Sequence, residues 1–211
     1  MTETNVTQAE TQVVAQARAA ASGLRVVDGV QLPAAGTYVL DPAHTRIGFV
    51  ARHLMVTKVR GSFGDYDGVI TIGDTVADST VQASIRTTSI DTGVADRDGH
   101  LRSGDFLEAE KYPEITFRNA RVVKQKGATF QVVGDLTIKG VTKQVELDVE
   151  LDGVAKDPFG NEKLAVTATT EIDREDFGMT WNVALETGGV LVSKKIRIEI
   201  EAQATRQVDA A

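Results

Sequence analysis

A chain of 211 residues with 42% hydrophobic content is long enough to bury one sizeable core, and its formal charge of −7, mixed in sign along the chain, leaves no basic footprint for nucleic acid. The absence of cysteine excludes a disulfide framework, a thiolate metal site and a thiol nucleophile. No run approaches the ~18 apolar residues of a membrane-spanning helix, and Met1 to Glu10 are polar and acidic, unlike the basic start of an export signal, so a soluble cytoplasmic protein is expected.

Residues 1–36 are rich in Ala, Gln, Thr and Val, with Val13, Val14, Ala17, Ala20 and Ala21 in weakly helical spacing; they predict a polar tail, flexible or carrying one frayed helix. Gly23, Gly29, Pro33 and Gly36 punctuate the chain, and the domain is expected from residue 37 to 204, with 205–211 as a C-terminal tail.

From there the hydrophobic period is two, the signature of strands that bury one face and wet the other. Val145, Leu147, Val149 and Leu151 alternate with charged and polar neighbours, as do Phe130, Val132, Gly134, Leu136 and Ile138, and again Ile196, Ile198 and Ile200. Eight strands are predicted near 45–54, 58–72, 78–87, 113–124, 128–138, 142–154, 162–173 and 189–203. The run from Gly61 to Gly68 reads as a glycine-kinked bend in the second of these, because Val69 to Ile72 continue as strand and no phosphate-loop Lys or helix follows. Short links such as Lys126-Gly127 and Lys139-Gly140 favour antiparallel hairpins. A meander of this kind removes its exposed edges by closing into a barrel. Val94 to Lys111 breaks the alternation and predicts a short helical insert between strands 3 and 4, ended before Tyr112-Pro113 and placed to cap a barrel mouth.

Neither a nucleophile elbow nor a metal-ligand spacing is present. His44 and His53 are nine apart, hence on opposite faces of a regular strand, and His100 falls in the insert. No catalytic residue, metal or cofactor is therefore expected. His53 shares parity with Ile47, Phe49 and Ala51 and is expected inside, either as a core histidine or as a contact to a ligand headgroup. Arg52 and Arg60 read as solvated outward residues, with the holding of an anionic headgroup as their alternative role.

An eight-stranded barrel either fills with side chains or holds one small ligand. Small inward positions such as Ala51, Ala83, Gly134, Ala168 and Thr170 leave room. Phe49, Phe63, Phe117, Phe130, Phe177 and Trp181 are large enough to line or close a tunnel, and Ile85, Phe106, Leu136, Val166 and Met179 complete the expected wall.

Several blocks of the chain resemble one known family. They are Thr37 to His44, Phe49, His53-Leu54, Val59 to Phe63, Arg97 to Leu101, Asp105 to Leu107, Tyr112 to Phe117, Gly134 to Thr142 and Asp173 to Met179. In order and over residues 37–204 they are similar to the YceI-like family of lipocalin-type polyisoprenoid-binding proteins. The resemblance implies an all-β fold, an extended eight-stranded antiparallel lipocalin-like barrel with a helical insert. Its lumen would carry a polyisoprenoid, an isoprenoid quinone or a fatty-acyl amphiphile, without catalysis, in a homodimer. Many relatives are exported, whereas no export signal is found here. Two other functions remain open at this point: a filled structural barrel acting through protein contacts, and an enzyme acting on a bound isoprenoid with His53 as acid or base.

Overall fold

Strands with one apolar face must hide it, and a sheet of enough strands can do so against itself. A computed structural model, describing residues 25–27, 30–186 and 188–207, shows the sheet curled until its last strand pairs with its first. A small hairpin of β1 (Arg25–Val27) and β2 (Val30–Leu32) comes first. The barrel then begins with β3 (Gly36–Leu40) and β4 (Arg46–His53), which together form one bent strand. The second consists of β5 (Thr57–Phe63) and β6 (Tyr66–Ile72), the third of β7 (Thr80–Arg86) and β8 (Ile90–Asp91). Five long strands follow: β9 (Glu114–Lys126), β10 (Thr129–Ile138), β11 (Val141–Lys156), β12 (Glu162–Asp173) and β13 (Lys195–Arg206). Closure runs through β13, where Ile198 pairs with Thr170 of β12 on one side and Phe49 of β4 on the other. The result is the closed, antiparallel, eight-stranded barrel.

Three boundaries differ from the sequence expectation, each because pairing decides what periodicity cannot. The first strand starts at Gly36, since β3 pairs with the end of β13 while β4 pairs with its middle. The expected strand over 58–72 divides at Gly64-Asp65, where its neighbours change: β5 pairs with β4 and β8, β6 with β3 and β7. The last strand starts at Lys195, not 189. Before it, Gly188 and Gly189 sit at φ 85° and 94°, and among the described residues this stretch pairs through isolated bridges, His53 to Val192 and Ala184 to Val190, in place of a ladder.

The predicted tails are also shorter than expected. Residues 1–24 lie outside the described structure, but β1–β2 and the buried Leu32 and Ala34 pack on the barrel, so ordered packing begins well before residue 36. At the other terminus Thr205 and Arg206 extend β13, and Gln207 donates its backbone N–H to Thr37. Among the described residues no helix is long and apolar enough to cross a membrane.

The insert between the third and fourth strands carries α1 (Ala95–Arg102), a polar helix fastened by hydrogen bonds. Buried Asp98 accepts from the backbone N–H of Thr92 at 2.9 Å and from its hydroxyl at 2.5 Å. Arg102 donates to the carbonyls of Thr88 and Ile90. From the opposite rim Lys139 donates to the Gly104 carbonyl at 2.7 Å. The barrel thus has an insert end, with α1 and residues 173–195, and a hairpin end, with β1–β2.

Candidate functional site

The barrel axis is open. A cavity of about 350 Å³, in the size range of small-molecule pockets, runs between the two ends. Its wall is built by strand alternation: Val145, Leu147 and Val149 from β11 and Ile196, Ile198 and Ile200 from β13, on either side of β12, all line it. These side chains stay only half-buried, although most of them pack against the buried core cluster. A filled barrel would have sealed them.

Of the residues expected in the lumen, Phe49, Ala51, Phe63, Ile85 and Phe106 lie on the cavity wall. So do Phe117, Phe130, Leu136, Val166 and Met179. Close backbone approach accommodates two of the rings. A Cβ at Gly61 would stand 2.4 Å from the Phe49 ring across the ladder, and one at Gly134 would stand 2.5 Å from Phe117. Gly134 therefore seats a ring where the sequence suggested empty space.

Other expected site residues stand elsewhere. His53 ends β4 beyond the wall, bridged to Val192. Arg52 and Arg60 are on the outer face, Arg60 3.4 Å from Glu199. Phe177 is sealed in the core behind the wall. Trp181 forms a second layer at the insert end, with His100 at 4.6 Å and Phe106 at 5.4 Å between ring centroids. His44 pairs with Asp41 on the surface, and among the described residues no cluster of His, Cys, Asp and Glu has the makings of a metal site.

Four side chains with hydrogen-bonding groups reach the wall: Arg25 and Ser79 at the hairpin end, Thr170 and Arg174 towards the insert end. Arg174 was not singled out from the sequence, although it stands in the Asp173–Met179 block. It is 2% exposed, and its Nε donates to the Ser193 carbonyl at 3.1 Å and its Nη1 to the Met179 carbonyl. The guanidinium carbon stands 5.8 Å from the Phe106 ring centroid. Among the described residues Nη2 is the buried polar side-chain atom with no partner. Burial pushes the Arg174 guanidinium below its usual value, opposed by Glu175 and Asp173, and an arginine so placed keeps its charge at neutral pH. A buried cation with an unused N–H has the chemistry to bind an oxygen.

At the hairpin end the polar groups are matched. Tyr38, fully buried, donates to Glu162, which also accepts from the Ala34 backbone N–H at 3.3 Å. Arg206 stands 3.7 Å from the Glu162 carboxylate and donates to the Ala35 carbonyl at 2.7 Å. Burial, then the bond to Glu162, pushes the Tyr38 hydroxyl far above the ordinary tyrosine range.

The model of the YceI-like domain matches residues 38–204. The chain belongs to this family. UPF0312 protein SA2479 of Staphylococcus aureus is 43% identical over 169 residues, covering 79% of this chain and 95% of the relative. Among solved structures, a YceI protein of Campylobacter jejuni is 33% identical and superposes with a TM-score of 0.65 over 74% of this chain and 90% of the other. BcnA of Burkholderia cenocepacia, 23% identical, gives a TM-score of 0.66 over 79% of this chain and 99% of its own. A polyisoprenoid binding domain from Saccharophagus degradans, 17% identical, gives 0.56 over 81% and 98%. These last two share the YceI-like fold. The β1–β2 hairpin lies ahead of the matched YceI-like domain.

Proposed function

We propose that the protein carries one long apolar amphiphile, a polyisoprenoid, isoprenoid quinone or fatty-acyl lipid, with its tail along the lumen and its polar head at Arg174, and performs no chemistry on it. The observation that carries this reading is an apolar cavity that has Arg174, whose buried Nη2 has no partner, among its lining residues. Burial of about ten methylenes at ~0.8 kcal/mol each contributes roughly 8 kcal/mol, enough to exceed the lower estimates of the association cost, about 4 kcal/mol. The Arg174 guanidinium then selects for an oxygen-bearing head over plain hydrocarbon. The name of the Saccharophagus domain, which shares the fold, fits a lumen of this character.

Protein purified without detergent, examined by native mass spectrometry and then extracted into solvent, should release a long-chain amphiphile. A uniformly empty barrel that also refuses quinone and fatty-acid probes would end the proposal. Homodimerisation and cytoplasmic residence belong to the same reading and are checked by sedimentation and by cell fractionation.

A further inference from the structure

The β4–β5 hairpin at the insert end turns through Leu54 and Met55, whose φ angles of 53° and 59° lie in the left-handed region. They are the central residues of a β-turn closed by the Val56 N–H, which donates to the His53 carbonyl at 3.1 Å; positive φ at both centres suits Asn-Gly, and a large apolar side chain is strained there. Leu54, Met55 and Val56 are nevertheless 43, 50 and 76% exposed. Exposed Val183 belongs to the same knob, since Leu54 donates its backbone N–H to Leu191, and Leu191 donates in turn to Val183. Four apolar side chains thus stand in water, two of them on a backbone that would be easier without them.

Beneath the tip, Arg52 and Lys58 face one another directly across the β4–β5 ladder, and Arg60 follows on the same outer face. Like charges in direct cross-strand register repel, so the fold gains nothing from this pair. All three are exposed, in a chain whose net charge is −7. An apolar tip above a collar of cations matches a surface with anionic groups outside and hydrocarbon behind them.

We propose that this hairpin docks the protein on a bilayer containing anionic phospholipid, with Leu54, Met55, Val56 and Val183 entering the headgroup boundary and Arg52 and Lys58 against lipid phosphates. A second copy of the chain fits the surface less well, because a two-fold contact at the tip sets these cations against their own images. Ala51 and Val192, beside the hairpin tip, line the cavity, so docking turns the Arg174 end of the lumen towards the lipid. The docking surface stands independently of what occupies the lumen.

The test is flotation of the full chain with phosphatidylcholine vesicles, with and without phosphatidylglycerol, at low and high salt. Two variants keep the fold out of question. Leu54→Asn with Met55→Gly supplies the residues the turn prefers, and Lys58→Glu gives Arg52 an opposite charge across the ladder, so both should melt no lower than the parent. The parent should float only with phosphatidylglycerol vesicles and be released by salt. Lys58→Glu should weaken binding about 25-fold, from two units of charge at about five-fold each, and the turn variant at least about ten-fold. A parent that does not float, or either variant floating as the parent does, overturns the proposal. Sedimentation showing a dimer that both variants dissociate would assign the tip to contact between copies and overturn it equally.

Discussion

Replacing Leu147 by tryptophan tests whether the lumen is open in solution. Leu147 lies on β11 opposite Val132, on the cavity wall, and is half-buried with its side chain facing the axis. In a filled interior the added ring would force neighbours apart at a cost of about 1–3 kcal/mol. Here it extends into a void of about 350 Å³. The stability of the ligand-free protein should therefore stay within ~0.5 kcal/mol of the parent, a shift in Tm of no more than about 2 °C for a chain of this size. The same ring takes up the room of about three methylenes of a ligand tail, worth ~2.4 kcal/mol, so a fluorescent fatty-acid probe should bind about 60-fold more weakly. Thermal unfolding and probe titration on the same preparations read both quantities. A fall in Tm beyond ~4 °C, with no probe bound by either protein, would refute the reasoning, because it is what overpacking of a closed core produces.

Two further substitutions probe the polar groups. Arg174→Met keeps an unbranched stem but leaves the Ser193 and Met179 carbonyls without their donor, so Tm should fall by several degrees; the preference for a fatty acid over its methyl ester should fall about ten-fold in competition, and an unchanged preference would show that the head does not meet this guanidinium. Asp41 is held below the ordinary carboxylate value of 3.8, first by its hydrogen bond to His44 and also by the Ala43 backbone N–H and Lys163. A carboxyl depressed in the folded state adds stability above its unfolded value and loses it as pH falls through the folded one. Asp41→Asn should therefore lower Tm near neutral pH by an amount that shrinks once pH drops below 3.8, and a difference that stays constant down to acid pH would contradict this assignment.

Much of the barrel was legible because alternation reports which side of a strand is buried, and β11 alternates over most of its length. Alternation does not report which strand is the neighbour. This is why β5 and β6 read as one element until their partners were known, and why β3 was lost among the glycines and prolines ahead of it. The candidate site shows the same limit along the other axis. Parity places Phe49 and Ala51 on the wall and gives His53 the same side, but says nothing of depth, and the chain turns out of the barrel at Leu54 before His53 can reach the cavity. Arg174 escaped for the opposite reason. A cation next to Glu175 and Asp176 reads as solvated surface, and only the approach of Met179 and Ser193, whose carbonyls take its N–H groups, shows that it is enclosed.

The two ends of the lumen differ in a way that orients any guest. At the hairpin end Tyr38, Glu162, Arg206 and the Ala34 and Ala35 backbone satisfy one another, and Leu32 and Pro33 present apolar surface to the cavity. A polar head placed among these groups would lose its hydration and find each of them already paired, at a cost of about 1–3 kcal/mol for each group left unpaired. Arg25 at this end already donates to the Pro33 and Asp74 carbonyls. At the insert end the same head would meet an N–H that otherwise has no acceptor. The difference favours one orientation, head at Arg174 and tail towards the β1–β2 hairpin. Under the proposed function Leu32 and Pro33, ahead of the family-matched residues, would then stand where the tail ends.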